Sequence, residues 1–179
     1  MDKHLLFTET KRLTIRNFTM DDILDYYEYL SDPEVLRFEP YKAQTMDQME
    51  NIILEDINSN NKLAVELKSS KKMIGNIYFG DIDSETKVLG YVFNKKYWNQ
   101  GYAKEATKSI IDLSFKYSIQ RIEARCDPLN IPSWKLLESL GFTRLSHLKK
   151  NTYFWKDKDG NPIWKDTYIY SLNKDEHIK

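Results

Sequence analysis

The chain reads Tyr97-Trp98-Asn99-Gln100-Gly101-Tyr102-Ala103-Lys104-Glu105-Ala106 between a predicted strand and a long predicted helix, residues 101–117, whose apolar side chains recur at helical spacing. A glycine in this turn lets the backbone approach a ligand closely, and the first turn of a helix offers unpaired N–H groups and the positive end of the helix dipole. The combination is typical of a pyrophosphate-binding loop, although one glycine before a helix is also a common plain turn. The segment matches neither G-x-x-x-x-G-K-S/T nor G-x-G-x-x-G.

A second segment contains an open turn followed by a short helix. It reads Asn130-Ile131-Pro132-Ser133-Trp134-Lys135-Leu136-Leu137-Glu138-Ser139-Leu140-Gly141-Phe142. The leading asparagine is typical of a helix N-cap, and a proline is accepted in the first helical turn. Gly141 is typical of the residue that ends a helix. Taken alone, this segment predicts a capped helix over residues 132–140 and no particular chemistry.

The rest of the chain predicts an α+β order. Period-two alternation between polar turns predicts seven strands, at residues 13–18, 63–67, 73–82, 88–93, 121–126, 145–155 and 163–172. Helical spacing predicts helices at residues 20–30 and, after the capping residue Thr45, at 46–57. A short helix is expected to restart at Ser31-Asp32-Pro33 and to carry Val35, Leu36 and Phe38. This order indicates one domain built on a mixed sheet.

Composition limits the class of protein. The chain has 179 residues, of which 41% are hydrophobic and 30% charged, so it fits one domain spanning residues 1–179 and is too apolar to be disordered. The single cysteine, Cys126, excludes an internal disulfide and a cysteine-based zinc cluster. The N-terminal apolar run is only Leu5-Leu6-Phe7, and no stretch approaches the roughly 20 apolar residues of a membrane span. We therefore expect a cytoplasmic protein with no membrane partner.

Charge is distributed unevenly, although the formal net charge is +0. Residues 1–90 contain 11 basic and 17 acidic residues, whereas residues 91–179 contain 16 basic and 10 acidic residues. Unequal halves of this size also arise by chance, but they agree with an anionic ligand at the second half and a cationic one at the first. The basic runs Lys149-Lys150 and 156–158 are too small to predict direct nucleic-acid binding.

Together and in this order, the two segments resemble the GNAT superfamily of N-acetyltransferases. That family carries a pyrophosphate loop of the form Q/R-x-x-G-x-G/A, which Trp98-Asn99-Gln100-Gly101-Tyr102-Ala103 matches with Trp98 in the first position. It also carries an Asn-led turn and a Gly-Phe pair, which Asn130 and Gly141-Phe142 match. The resemblance covers nearly the whole chain. It implies the GNAT fold, an α/β sandwich with a mixed, mostly antiparallel seven-stranded sheet and helices on both faces.

Within the family the chain is most similar to the RimJ/RimL type, whose named members acetylate the N-termini of ribosomal proteins. The similarity rests on Leu89-Gly90-Tyr91, Tyr97-Trp98, Gly101-Tyr102-Ala103 and Asn130-x-x-Ser133. This branch also contains many small-molecule and drug acetyltransferases. The resemblance therefore implies acetyl-CoA-dependent transfer of an acetyl group to a primary amine, on a protein N-terminus such as that of a ribosomal protein, a polyamine or an aminoglycoside-like molecule. Both a monomer and a homodimer agree with it.

The resemblance also implies roles for particular residues. The backbone amides of one loop would hold the pyrophosphate of acetyl-CoA, namely those of Asn99, Gln100, Gly101, Tyr102, Ala103 and Lys104. The backbone of Tyr91, Val92 and Phe93 would pair with pantetheine where two strands separate, and Asn130 and Ser133 would contact its other side and the thiol. A neutral amine would attack the thioester directly, and a backbone N–H near Val92 would stabilise the oxyanion of the tetrahedral intermediate. No metal is implied.

Two catalytic positions of the family are changed. The tyrosine that protonates the departing thiolate in some members is Leu137 here, so Ser133, the nearest hydroxyl on the matching turn, is the candidate general acid. Val88 replaces the glutamate that other members use as the base, which leaves water, Glu39 or Glu66 as alternatives. The two replacements also keep open a second class of function, a non-catalytic acyl-CoA-binding sensor. The acidic residues of the first helices predict a cationic amine as the acceptor.

Overall fold

A computed structural model describes residues 7–59 and 61–177, and its strands form an eight-stranded sheet in the order β1-β2-β3-β4-β5-β6-β8-β7. The strands are β1 Thr8–Glu9, β2 Leu13–Arg16, β3 Lys62–Leu67, β4 Met73–Asp81, β5 Thr86–Phe93, β6 Arg121–Cys126, β7 Thr143–Lys156 and β8 Pro162–Asn173. Neighbouring strands run antiparallel except for β5 and β6, which are parallel. The mixed, mostly antiparallel sheet predicted from the sequence is therefore confirmed.

The sheet has one strand more than the seven predicted. The additional strand, β1, has two residues, and it pairs with β2 through Thr8↔Ile15 and Glu9↔Thr14. Two residues are too few to produce a period-two pattern, so the sequence carries no signal for this strand. The first residues considered for an N-terminal signal, residues 1–6, lie outside the described part of the chain.

Five α-helices occur in the described residues: α1 Ile23–Leu30, α2 Met46–Asn58, α3 Tyr102–Lys116, α4 Ile131–Ser139 and α5 Lys174–His177. Short 3-10 helices at Met20–Asp22 and Lys95–Tyr97 precede α1 and α3. Helix α2 begins after Thr45, whose backbone N–H donates to the Gln48 side chain at 2.8 Å in a capping box. The four long helices correspond to predicted ones, whereas α5 has only four residues and was not predicted. None of these helices has the length and apolarity that crossing a bilayer requires.

The short helix predicted to restart at Ser31-Asp32-Pro33 and to carry Val35, Leu36 and Phe38 is wrong. The structure has consecutive turns over this segment. The Asp32 carboxylate accepts the backbone N–H of Glu34 at 2.8 Å, a local bond that competes with helix formation. Pro40 lacks an N–H and prevents the turns from continuing as a helix. Leu36 is still buried, so the apolar pattern marked a packed turn.

Helices cover both faces of the sheet, as the resemblance implies. Helices α3 and α4 pack on one face, and the buried residues there include Leu13, Ile15, Leu63, Val65, Ile77, Phe79, Ala106, Ile110, Ile111 and Leu137. Helices α1 and α2 pack on the other face, and the buried residues there include Tyr26, Tyr29, Leu30, Met49, Ile53, Ala64, Met73 and Val92. Burial of these two apolar layers supplies the main favourable free energy of folding.

The two parallel strands separate partway along their length. Strands β5 and β6 pair from Thr86↔Arg121 to Leu89↔Ala124, whereas β5 continues to Phe93 along β4 alone. Beyond Leu89, no strand pairs with the edge of β5 that faces away from β4, so the backbone groups on that edge face the cleft. This separation divides the sheet and opens a cleft between its two halves.

Candidate active site

A cleft of about 1150 Å³ lies where β5 and β6 separate. Its walls come from the loop between α1 and α2, the diverging parts of β5 and β6, the loop before α3, the first turn of α4, and the β7–β8 hairpin. Nearly all of the residues predicted to form a site line this cleft: Glu39, Tyr91, Val92, Phe93, Asn99, Gly101, Tyr102, Ala103, Lys104, Asn130 and Ser133. Segments far apart in sequence therefore meet at one cavity.

The loop before α3 has the backbone conformation of an anion site. Asn99 has a φ of 58° and Gly101 a φ of 80°, so two residues of the loop adopt left-handed conformations. Gly101 is the N-cap of α3, and its carbonyl accepts the N–H of Glu105 at 3.0 Å. Alternation of left-handed residues with a helix start turns successive N–H groups toward one concavity, where the helix dipole also favours negative charge. This geometry is suited to a phosphate group.

Gln100 is the one predicted loop residue that does not line the cleft. Its side-chain amide donates to the Lys96 carbonyl at 2.9 Å, and its own carbonyl accepts the Arg12 guanidinium at 3.0 Å. Both contacts hold the loop in place from the side that faces away from the cleft. A backbone role for Gln100 in anion binding remains a prediction.

Arg12 supports the loop from the neighbouring strands, a role that the sequence reasoning missed. Its Nε lies 2.6 Å from Glu105 Oε2 in the first turn of α3, and its guanidinium lies 4.2 Å from the centre of the Tyr102 ring. Thr10 donates to the same carboxylate at 2.6 Å. Burial raises the pKa of Glu105, but the hydrogen bonds from Thr10 and Arg12 outweigh it and lower the pKa overall. Arg12 therefore offsets a negative charge in the first turn of α3.

The direction of the β5 backbone groups follows from the ladder with β4. The N–H of Asn94 donates to the Ile74 carbonyl at 2.9 Å, and hydrogen-bonded pairs alternate along an antiparallel ladder. The N–H and C=O of Val92 therefore face β4, whereas those of Tyr91 and Phe93 face the cleft. The Trp98 indole donates to the Phe93 carbonyl at 2.7 Å, which agrees with this orientation. Of the three residues predicted to pair with pantetheine, Tyr91 and Phe93 therefore present backbone groups to the cleft, whereas the backbone of Val92 is directed at β4 and cannot pair with a ligand there.

The Tyr91 hydroxyl connects β5 to the first turn of α4. It donates to the Ser133 carbonyl at 3.0 Å and lies 3.1 Å from Ser133 Oγ. Burial raises the pKa of Tyr91, so this phenol stays protonated at neutral pH. The Asn130 side chain accepts the N–H of Ser133 at 3.4 Å and caps the helix. Ser133, half-buried in the cleft wall, is therefore held by residues on both sides of the gap.

The two carboxylates considered as bases lie in different surroundings. Glu39 is half-buried in the cleft wall, where burial raises its pKa despite a hydrogen bond from Tyr41. Glu66 accepts Arg16 Nε at 2.8 Å, and Arg16 also pairs with Asp22. Glu66 therefore belongs to a structural ion-pair cluster and does not line the cleft.

The acidic residues of the first half produce less negative potential than their number implies. Lysine and arginine side chains pair with eight of the described ones, namely Glu9, Asp22, Asp25, Glu28, Glu34, Asp56, Glu66 and Asp81. Two of these cations, Lys95 and Lys96, come from the basic half of the chain. Among the acidic side chains of the first helical region that the structure describes, Glu34 and Glu39 line the cleft. The uneven charge count is therefore weak support for a cationic acceptor.

Cys126 lines the cleft but has no features of a nucleophile. Burial raises its pKa to about 12, so the thiol is protonated at neutral pH. Across residues 7–59 and 61–177, no group of three or more histidine, cysteine, aspartate or glutamate side chains is arranged to hold a metal ion.

Comparison with known proteins agrees with the geometry. Residues 12–143 match the family model described as an acetyltransferase (GNAT) domain. The chain is 35% identical over 173 residues to the uncharacterized N-acetyltransferase YnaD of Bacillus subtilis, covering 93% of this chain and 96% of that protein. A crystal structure of a GNAT-family acetyltransferase from Bacillus anthracis has a TM-score of 0.86 and 32% identity, covering 95% of this chain and 99% of that one.

A more distant structure shares the fold alone. Spermidine N-acetyltransferase from Vibrio cholerae, crystallised with CoA and spermine, has a TM-score of 0.78 at 16% identity, over 95% of this chain and the whole of that chain at 100%. The sheet separates between β5 and β6, and the loop before α3 has left-handed residues. Together with the matching family model and the similarity to YnaD, these features show that the chain belongs to the GNAT family of acetyltransferases.

Proposed function

We propose that this acetyltransferase moves the acetyl group of acetyl-CoA to a primary amine bound in the cleft between β5 and β6. The observation that carries the proposal is that the strands separate after Leu89 and Ala124 in the same cleft as the left-handed loop at Asn99 and Gly101. An extended ligand with phosphates at one end fits an anion-binding loop beside an open strand edge. The CoA in the fold-related spermidine N-acetyltransferase supports this ligand.

The proposed binding mode assigns backbone groups to most of the ligand. The N–H groups of residues 99–104 hold the pyrophosphate, and the cleft-facing N–H of Phe93 and C=O of Tyr91 pair with pantetheine, which leaves the N–H of Tyr91 for the acetyl oxygen. Asn130 and Ser133 border the other side of the chain and the thiol. No metal takes part in this scheme.

The chemistry we propose is direct attack in a ternary complex. Glu39 removes a proton from the acceptor ammonium, and the neutral nitrogen attacks the thioester carbonyl carbon, so that the C–N bond forms and the C–S bond breaks. The N–H of Tyr91 faces the cleft and stabilises the negative charge that develops on the acetyl oxygen. Ser133, whose Oγ lies 3.1 Å from the Tyr91 hydroxyl, gives its proton to the departing thiolate and regains one from the protonated nitrogen of the collapsing intermediate, so that the CoA thiol and a neutral amide are released.

Replacing Ser133 tests the proton donor. We expect Ser133→Ala to lower kcat about 10- to 100-fold, with less change in the KM for acetyl-CoA, because a proton donor acts in the transition state. Ser139→Ala on the same helix is the matched control, since the Ser139 hydroxyl is exposed and donates to the Leu136 carbonyl. An effect confined to KM would make Ser133 a ligand of pantetheine instead.

Replacing Arg12 tests its support of the phosphate loop. We expect Arg12→Ala to weaken CoA binding about 10-fold, because it leaves the Glu105 carboxylate unneutralised near the phosphates and releases the Gln100 carbonyl. In a Glu105→Gln background, Arg12→Ala should weaken CoA binding less, because residue 105 then carries no negative charge. Calorimetry with CoA measures both values. Equal losses in the two backgrounds would show that Arg12 acts through contacts other than Glu105, such as its hydrogen bond to the Gln100 carbonyl.

We propose that the acceptor is a protein N-terminus, as in the RimJ/RimL-like branch, or a small-molecule amine such as a polyamine or an aminoglycoside. Release of the CoA thiol should be measured with ribosomal-protein N-terminal peptides, simple monoamines, polyamines and aminoglycosides. One class should give a kcat/KM at least 10-fold above the others. Equal, trace release with every class would exclude all of them as the acceptor.

The chain is proposed to work as one domain over residues 1–179, as a monomer or homodimer in the cytoplasm. Its single thiol, Cys126, is free, which agrees with a reducing compartment. Acetyl-CoA and the amine acceptor, a ribosomal protein among the candidates, are the proposed partners.

A further inference from the structure

A lysine of the chain itself occupies an ammonium-binding arrangement in the cleft. Lys165 Nζ lies 2.9 Å from Asp127 Oδ2, and the two side chains are 19% and 11% exposed. The same ammonium lies 5.5 Å from the centre of the Phe38 ring and 5.7 Å from that of Phe154. One carboxylate and two aromatic rings thus surround one positive charge. We call these three side chains, Asp127, Phe38 and Phe154, the cage.

The cage is assembled from three separate elements. Asp127 follows β6, Phe38 lies in the loop between α1 and α2, and Phe154 lies in β7. All three residues and Lys165 line the cleft. Phe38 directly precedes Glu39, the proposed base, so the cage adjoins the region where the acceptor amine must lie. The arrangement is therefore part of the acceptor wall.

The chemistry of the cage is specific for a cation. Removing the cationic partner of a partly desolvated carboxylate costs free energy, because the remaining negative charge is neither paired nor fully solvated. Aromatic rings within about 6 Å also attract an ammonium through their negative faces. The long alkyl stem of Lys165 delivers the ammonium from β8 into the cage. A surface ion pair would need neither the two rings nor this degree of burial.

We propose that Lys165 is a specificity-determining residue that fills an ammonium subsite and thereby excludes acceptors with a second positive charge. The inference rests on the proposed amine acetyltransferase function. With Lys165 in place, a diamine or polyamine finds its second ammonium next to an existing one and gains no carboxylate. The native acceptor then carries a single reactive amine and no distal cation. Shortening Lys165 opens the subsite to the distal ammonium of a diamine.

The test compares butylamine with 1,4-diaminobutane, which differ by one terminal ammonium. The wild-type enzyme should show a kcat/KM for the diamine no higher than that for the monoamine. Lys165→Ala should raise the diamine-to-monoamine ratio at least 10-fold, because the free ammonium replaces the lost one on Asp127. The double variant Asp127→Asn, Lys165→Ala is the matched control and should lose this gain, because the cage no longer carries a charge.

Equilibrium binding separates this inference from the proposed activity. In calorimetry, Lys165→Ala should bind 1,4-diaminobutane at least 10-fold more tightly than butylamine, whether or not the protein transfers an acetyl group. If Lys165→Ala binds the diamine more tightly but no amine is acetylated, the proposed function is contradicted and the ammonium subsite at the cage is supported. A wild-type enzyme that prefers the diamine by 10-fold, or a Lys165→Ala variant whose binding and rate ratios equal those of the wild type, would overturn the inference. A wild-type preference for the diamine overturns the inference even if the variant fails to fold.

Discussion

Gly101→Val is expected to weaken CoA binding by at least about 100-fold while leaving the fold intact. Gly101 has a φ of 80°, in the left-handed region that β-branched residues rarely adopt, and relaxing this strain would rotate the N–H groups of the loop away from the phosphates. A Cβ at this position would lie 3.4 Å from Arg12 Nη2, an ordinary van der Waals contact, so the expected loss comes from the backbone conformation. Calorimetry with CoA, with circular dichroism to check folding, measures the effect.

Gly160→Val is the matched control for this experiment. Gly160 has a φ of 87°, so valine imposes comparable backbone strain there, but the added Cβ has no neighbour within 4 Å and the turn joins β7 to β8 away from the loop. Left-handed strain costs about 1–2 kcal/mol at either position. CoA affinity that stays unchanged in a folded Gly101→Val, or that falls equally in Gly160→Val, would contradict the assignment of the phosphate loop.

Glu39→Gln is expected to lower kcat/KM about 100-fold or more, because general base catalysis typically contributes 10²–10⁴-fold. The base must be ionised to accept a proton, and burial raises the pKa of Glu39. The wild-type rate should therefore rise with pH through a midpoint above the ordinary glutamate range, and Glu39→Gln should lack that midpoint. A pH–rate profile of both enzymes checks the expectation.

Glu34→Gln is the control for the base. Glu34 lies in the same loop and lines the same cleft, but it is exposed and paired with Lys95. Its replacement should change kcat/KM less than about 3-fold, within the range expected for an exposed ion pair. If Glu39→Gln keeps the wild-type pH profile, water or another group removes the proton and Glu39 is a wall residue.

The sequence predicts those features that depend on local pattern. Gly101 before an amphipathic helix and Asn130 before Pro132 are local signals, and the structure has a left-handed N-cap at the first and a side-chain cap at the second. The failed helix at Ser31 shows the limit of such signals, since the bond from Glu34 N–H to the Asp32 carboxylate was not visible in the apolar spacing.

Local sequence patterns do not predict contacts between residues that are far apart in the chain. Arg12 meets Glu105 across 93 residues, and Tyr91 meets Ser133 across 42. Sequence reasoning assigned Tyr91 a backbone role only, because nothing local indicates that its hydroxyl reaches α4. The charge count overstates the negative potential for the same reason, since Lys95 and Lys96 neutralise glutamates of the other half.

Transfer of the acetyl group from CoA to an amine in this cleft is tested by quantifying both products of one reaction. The protein is incubated with acetyl-CoA that carries a heavy isotope in its acetyl group, together with the acceptor panel, and free CoA and labelled amide are both quantified. We predict equal amounts of the two products with at least one amine, and neither product with Gly101→Val. CoA binding by the wild type without labelled amide from any amine would contradict the claim and leave a binding protein on an acetyltransferase fold.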